Sequence, residues 1–181
     1  MQLIIDLPPR DEQIAFNRRR WEEVCADPEL ARLPGRIETN AHGQILMSPP
    51  PAGNHSHRTL QIQFLIRDSL GGIPLPECPV STLDGVRAAD VGWYSEERFA
   101  KVEGQPAFEI APEICVEVLS PSNTDSEMRE KKKLYFEAGA EEVWFCDTEG
   151  RLVFFSQADP DVASPGSALC PSFPPALGTS D

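Results

Sequence analysis

Apolar and polar positions along this chain follow two periods, and the period changes from one third to the next. Over residues 11–27, Ile14, Trp21, Val24 and Cys25 recur at helical spacing with Arg18, Arg19 and Arg20 largely between them, which predicts a helix. Residues 36–39 and 44–47 predict two strands around the turn Asn40-Ala41-His42-Gly43. Pro49-Pro50-Pro51 ends that hairpin, because proline cannot serve an interior ladder. Residues 54–70 return to helical spacing, with Leu60, Phe64, Leu65 and Ile66 as the apolar face and Gly71-Gly72 as the stop.

The middle third is strand-like. Residues 73–80 and 86–94 predict two strands around Leu83-Asp84-Gly85, and Ser95 can cap a short helix through Lys101. Residues 107–110 fit neither period. Residues 114–119, Ile-Cys-Val-Glu-Val-Leu, carry the strongest strand pattern in the chain, ended by Ser120-Pro121-Ser122-Asn123. A helix is predicted from about Thr124, where Thr124 and Glu127 have capping-box spacing, to Gly139 at a C′ position. Residues 142–147 and 151–156 predict a last hairpin around Thr148-Glu149-Gly150. This order predicts an α/β (α+β) fold, a mixed central sheet flanked by helices.

Length and composition then set the class. A chain of 181 residues predicts a single domain, 1–181: an N-terminal helix at 11–27, a core at about 36–156 and a Pro/Ser-rich tail at 157–181. Composition alone makes that tail flexible. No apolar run approaches the roughly 20 residues of a membrane helix, and the N-terminal segment lacks the basic and small-residue marks of a secretory signal. The five cysteines form no C-x-x-C pair, which predicts reduced, mostly buried thiols in a cytoplasmic protein with no membrane partner. The net charge of −13 argues against a protein that coats nucleic acid through a basic surface, but not against a nuclease, whose metal ligands are acidic.

Candidate chemistry gathers at three residues. Glu117 sits inside the most apolar strand, where a carboxylate without a partner would cost several kcal/mol. It must pair with a cation, face a cleft or bind a metal. Asp90 poses the same problem one strand earlier, among small residues. Adjacent strands in register would bring the two within about 5 Å, a repulsion that a divalent cation removes. Lys131 lies on the helix after the Glu117 strand and shares a face with Tyr135, although a lysine in Arg129–Lys133 also fits a solvated surface. Glu38, beside Ile37, is either a third metal-site acid or an ordinary strand-edge glutamate. His55 and His57 flank Ser56 after the triple proline, where loop histidines are surface or capping groups more often than ligands. G-x-S-x-G, H-E-x-x-H, Walker and G-x-G-x-x-G motifs are absent, which removes the main support for a serine hydrolase, zinc protease, NTPase or dinucleotide enzyme.

In order along the chain stand Arg36-Ile37-Glu38, the segment 43–50, Ala89-Asp90-Val91-Gly92-Trp93, the segment 115–122 and Glu130-Lys131 with Tyr135. Ala138-Gly139-Ala140-Glu141-Glu142-Val143-Trp144 follows. Together these resemble the Uma-type family of putative restriction endonucleases within the PD-(D/E)XK nuclease superfamily. The resemblance runs from about Asp11 into the tail, where residues 169–174 are similar to the family's C-terminal end and imply partial order there.

The resemblance implies a restriction-endonuclease-like fold and a Mg²⁺- or Mn²⁺-dependent endonuclease acting on DNA. Asp90 falls on the family's first acid and Glu117 on its second; the backbone carbonyl of Val118 would complete the inner metal shell. The lysine usual two residues after the second acid is replaced by Leu119, and Lys131 matches a lysine moved to the next helix. Glu38 matches a further acid, an optional ligand. Lys131 would position the attacking water, and Arg129, Lys132 and Lys133 would attract the DNA backbone. Superfamily habit adds the expectation of a homodimer. The alternative is a catalytically inactive module of the same fold that acts through protein–protein contacts.

Overall fold

The structure, a computed structural model, describes residues 9–178. The segment 1–8, on which most of the expectation about a secretory signal rests, and the final tail residues 179–181 lie outside the described residues. In chain order the elements are α1 (Arg10–Ala26), a 3-10 turn (Leu30–Arg32), β1 (Arg36–Thr39), β2 (Ile45–Ser48), α2 (Gly53–Leu70), β3 (Ile73–Thr82) and β4 (Gly85–Tyr94). Then follow α3 (Glu96–Phe99), β5 (Ile114–Val118), α4 (Asp125–Glu137), β6 (Glu142–Cys146), β7 (Leu152–Ser156) and β8 (Asp159–Ser164). Among the described residues no helix is long and apolar enough to cross a membrane.

Six strands make one mixed sheet in the order β3-β4-β5-β6-β7-β8, while β1 and β2 form a separate hairpin. β5 and β6 are parallel and α4 is their crossover; the other neighbours are antiparallel. β3 carries Pro74, Pro76 and Pro79 because it is an edge strand, where a missing N–H breaks no ladder. α2 covers one face of the sheet: Ile62 and Ile66 pack with Val91, Val116, Val118 and Trp144. Each fully buried isoleucine stabilises the fold by about 1.5–3 kcal/mol. α4 covers the other face through Tyr135 and Phe136, against Cys115 and Val143.

Two helices turn differently from the apolar pattern. α1 buries Gln13, Asn17, Trp21 and Val24, not Ile14 and Cys25. Polar bonds set that rotation: the Asn17 amide donates to Ser81 Oγ at 2.9 Å and to the Thr82 carbonyl at 2.8 Å. In α2 the buried positions are Thr59, Ile62 and Ile66, whereas Leu60 and Phe64 are exposed. Four cysteines are buried and Cys25 is exposed; all five are free.

The tail also departs from its composition. It adds β8 to the sheet edge and then buries Ser167, Cys170, Phe173 and Leu177, with Phe173 stacked on Trp144 at 4.7 Å between centroids. Buried Glu142 organises this return. Its carboxylate accepts from Trp144 Nε1 (2.7 Å), Ser167 Oγ (2.6 Å) and the backbone N–H groups of Ala168 (2.7 Å) and Leu169 (3.0 Å).

Candidate active site

The β4–β5 ladder ends at the pair Val91↔Val116, so Asp90 and Glu117 occupy the next rung, opposite each other on adjacent strands. The rung is not closed by backbone pairing. Asp90 Oδ2 accepts the Val118 N–H at 2.7 Å instead. Beyond Val118 the chain turns sharply, with Ser120 N donating to Asn123 Oδ1 at 2.7 Å. Thr124 then caps α4 by accepting from Glu127 N at 3.2 Å. The Glu127 carboxylate reaches the Asn123 amide (3.4 Å) and so does not complete the reciprocal half of a capping box.

That short connection brings Lys131 back onto Glu117. Lys131 is 5% exposed, so the solvated-surface alternative fails for this residue. Its Nζ lies 3.2 Å from Glu117 Oε1, 3.3 Å from Oε2 and 3.2 Å from Glu38 Oε1. Tyr135, one turn further along α4, donates to Glu117 Oε1 at 2.6 Å. Burial pushes the Glu117 carboxyl up to about 7, against the pull of Lys131 and with Asp90 adding to the rise. The Lys131 ammonium is held above its ordinary range, because Glu117 and Glu38 outweigh its burial.

Glu38 stands behind this group. Gly85 (φ 78°) makes the tight β3–β4 turn, and a side chain there would strike the Thr39 carbonyl oxygen at 2.3 Å. With β1 seated so closely, Glu38 Oε1 accepts the Ala88 N–H at 2.8 Å and Oε2 lies 3.8 Å from Arg87. Glu38 thus faces Lys131 and the β4 backbone, and is not among the residues lining the cavity described next.

Asp90, Glu117 and Val118 together border a cavity of about 430 Å³ between the β2–α2 connection and the β5–α4 turn. Arg36, His55, Arg58 and Glu77 also line it. Arg36 donates to Asp90 Oδ1 at 2.6 Å and lies 3.6 Å from Glu77 Oε2. His55 Nε2 is 3.2 Å from Asp90 Oδ2. Burial tends to raise the Asp90 carboxyl, but the His55 hydrogen bond and the Arg36 charge hold it below its usual range. The same hydrogen bond raises His55. A larger hollow of about 620 Å³ against α1 and His42 is a shallow groove with no comparable acid pair.

Hard oxygen donors on one cavity suit a small divalent cation. Among the described residues no three His, Cys, Asp or Glu side chains make a preformed cage. Mg²⁺ needs none, since it binds through one or two carboxylates and keeps several waters. The donor set therefore fits such an ion, with two carboxylates and Val118 bordering one cavity.

Several sequence expectations change here. His55 is on the first turn of α2, not a loop, and touches Asp90, while His57 is exposed. Lys132 cannot attract a DNA backbone: it is buried, bonded to the Pro160 carbonyl, and its Nζ lies 4.1 Å from the centre of the Phe155 ring. Arg129 and Lys133 are exposed. Arg36 and Glu77 carried no local signal as site residues, whereas His55 had one in its alternation with His57. Hairpin register offered one for Glu77: a turn that pairs Thr82 with Gly85 sets Glu77 opposite Asp90.

With its acid pair where the β4–β5 ladder stops, this mixed sheet flanked by helices is a nuclease-like fold. It matches the crystal structure of a putative nuclease belonging to DUF820 from Anabaena variabilis with a TM-score of 0.63, 19% identity, and coverage of 82% of this chain and 92% of the other. The chain belongs to the Uma2 family, described as putative restriction endonuclease, whose profile matches residues 27–167. That span excludes all of α1 and the segment after Ser167, so it is shorter than the resemblance in the sequence implied. No curated protein matches the chain.

Proposed function

We propose that this protein hydrolyses phosphodiester bonds in DNA as a divalent-metal-dependent endonuclease. One observation carries the proposal: Asp90 and Glu117 stand side by side at the cavity, with the buried ammonium of Lys131 on Glu117. Asp90, Glu117 and the carbonyl oxygen of Val118 would hold Mg²⁺ or Mn²⁺. When bound, such an ion supplies positive charge toward the scissile phosphate and acidifies a bound water. Lys131 opposes the burial-driven protonation of Glu117. It also adds fixed positive charge behind the acid pair, where low dielectric strengthens it. Tyr135 and Glu38 fix the position of this lysine–glutamate group. Arg58, on the cavity wall, is the cation best placed to meet a phosphate backbone. With a net charge of −13 the protein as a whole repels DNA, and salt screens that repulsion.

One observation favours a second reading, a non-catalytic module working through protein contacts: both Asp90 oxygens already receive donors from the chain itself. Mn²⁺ calorimetry and Mn²⁺-supported cleavage of plasmid DNA separate the two. The wild type should bind and cleave, and Asp90→Asn and Glu117→Gln should lose both. Unchanged cleavage by both variants would sink the endonuclease proposal, and failure of the wild type to bind metal would put the second reading ahead.

A further inference from the structure

Asp90 has a competitor for any cation that approaches it. The Arg36 guanidinium sits on Asp90 Oδ1 at 2.6 Å, on the side facing the cavity, and only loosely approaches Glu77 at 3.6 Å. Its fork is not fully used, since the buried Nε has no hydrogen-bond partner. Glu77 is unusual as well. It is the non-glycine residue with positive φ (47°) among the described residues, and the β3–β4 ladder skips its rung, pairing Pro76↔Val91 and Cys78↔Ala89 on either side. Left-handed backbone at a glutamate is disfavoured. Here it leaves Glu77 lining the cavity across from Asp90, with Arg36 between the two acids.

Resting on the metal-dependent function proposed above, we infer that Arg36 is a resident counter-cation that competes with the divalent ion for Asp90, and that Glu77 is the seat Arg36 takes when the ion binds. Two cations cannot share one carboxylate oxygen in a buried site without strong repulsion. Ion binding therefore includes the cost of moving Arg36, and the Glu77 carboxylate lowers that cost by offering a second partner on the same cavity wall. The device keeps Asp90 neutralised without an ion and sets the affinity for one. Arg36 acts here as a positioning residue, through Asp90.

Calorimetric titration with Mn²⁺ tests this without an activity assay. Arg36→Met, which removes the charge and keeps the apolar length, should bind Mn²⁺ about tenfold more tightly than the wild type, a coupling of ordinary size for linked sites. Glu77→Gln should weaken binding in the wild-type background and change it little in the Arg36→Met background. Equal weakening in both backgrounds would make Glu77 a direct ligand and overturn its role as a seat. Wild-type binding that Asp90→Asn abolishes but Arg36→Met fails to tighten would overturn the competition alone. Absence of binding in both the wild type and Arg36→Met would overturn the metal-dependent function together with this inference. If Arg36→Met does not fold, Mg²⁺ titration of the wild type followed by the arginine Nε–Hε resonances decides. The Arg36 signal should move and that of Arg87, also buried without a partner at Nε, should stay; an unmoved Arg36 signal would overturn the proposal.

Discussion

Glu117 and Glu142 are both 3% exposed and lie on neighbouring parallel strands, yet they are built for different ends. Glu142 stands at the start of β6 and accepts four hydrogen bonds from neutral donors, two of them backbone N–H groups of the returning tail. Glu117 stands near the end of β5, is held by one ammonium and one phenol, and borders a cavity. Burial of a carboxylate alone therefore does not mark a site. What separates the two is the kind of partner and the open space beside it. Neutral donors in a closed shell tie chain segments together, whereas a cation with a free approach leaves the carboxylate able to exchange partners.

Breaking each glutamate in turn sharpens the contrast. Glu142→Ala should cost the most, about 3–5 kcal/mol by urea unfolding, because it strands several buried donors at once. Mn²⁺ affinity of the folded fraction should be unchanged. Glu117→Gln should abolish metal-supported cleavage with a stability change of about 1 kcal/mol or less, since Lys131 keeps Glu38 as a partner at 3.2 Å. Comparable stability losses in the two variants would erase the distinction.

Glu117 also has a signature on a pH scale. The folded Glu117 carboxyl is raised to about 7 from an ordinary value of 4.5, chiefly by burial. The folded state therefore holds this proton more tightly than the unfolded chain does. Stability from Glu117 is full below about pH 4.5 and is lost as pH rises through about 7. With a chelator present, the stability of the wild type relative to Glu117→Gln should fall across that interval. A flat difference would mean that Glu117 titrates like an exposed glutamate.

Smaller effects belong to α4 and the thiols. Lys132→Met should cost about 1–2 kcal/mol through its lost ring and carbonyl contacts, and Lys133→Met no more than about 0.5 kcal/mol. Equal effects would return Lys132 to the surface. A thiol reagent should label Cys25 alone in the native protein. Burial raises Cys78 to about 12 and Cys146 to about 11, so neither offers a thiolate near neutral pH.

The two acids were legible because β5 is a continuous apolar run and β4 sets Asp90 among small residues, so that a charge stands out in each. Lys131 was less visible, since Arg129–Lys133 reads as one charged surface until the three-residue turn after Ser120 aims the helix back over β5. Arg36 opens an ordinary strand, and its contact with Asp90 spans 54 positions, a distance no local pattern encodes. For the tail, composition alone misled, since proline and serine content speaks for flexibility; the order that the resemblance at 169–174 implied comes from Cys170, Phe173 and Leu177 meeting Trp144 and its neighbours in one cluster.

The returning tail has a consequence for synthesis. A ribosome releases the chain N-terminus first, and domains fold as units once their parts are available. β6 carries Trp144 out of the exit tunnel before Phe173 and Leu177 exist to cover it, and Glu142 emerges before Ser167, Ala168 and Leu169 can satisfy it. A chain interrupted after β8 would hold the whole cavity wall and still display an uncovered indole beside an unpaired carboxylate. Such a fragment is the kind of surface that chaperones and proteases sort, and the packing of Cys170, Phe173 and Leu177 onto β6 is what closes it.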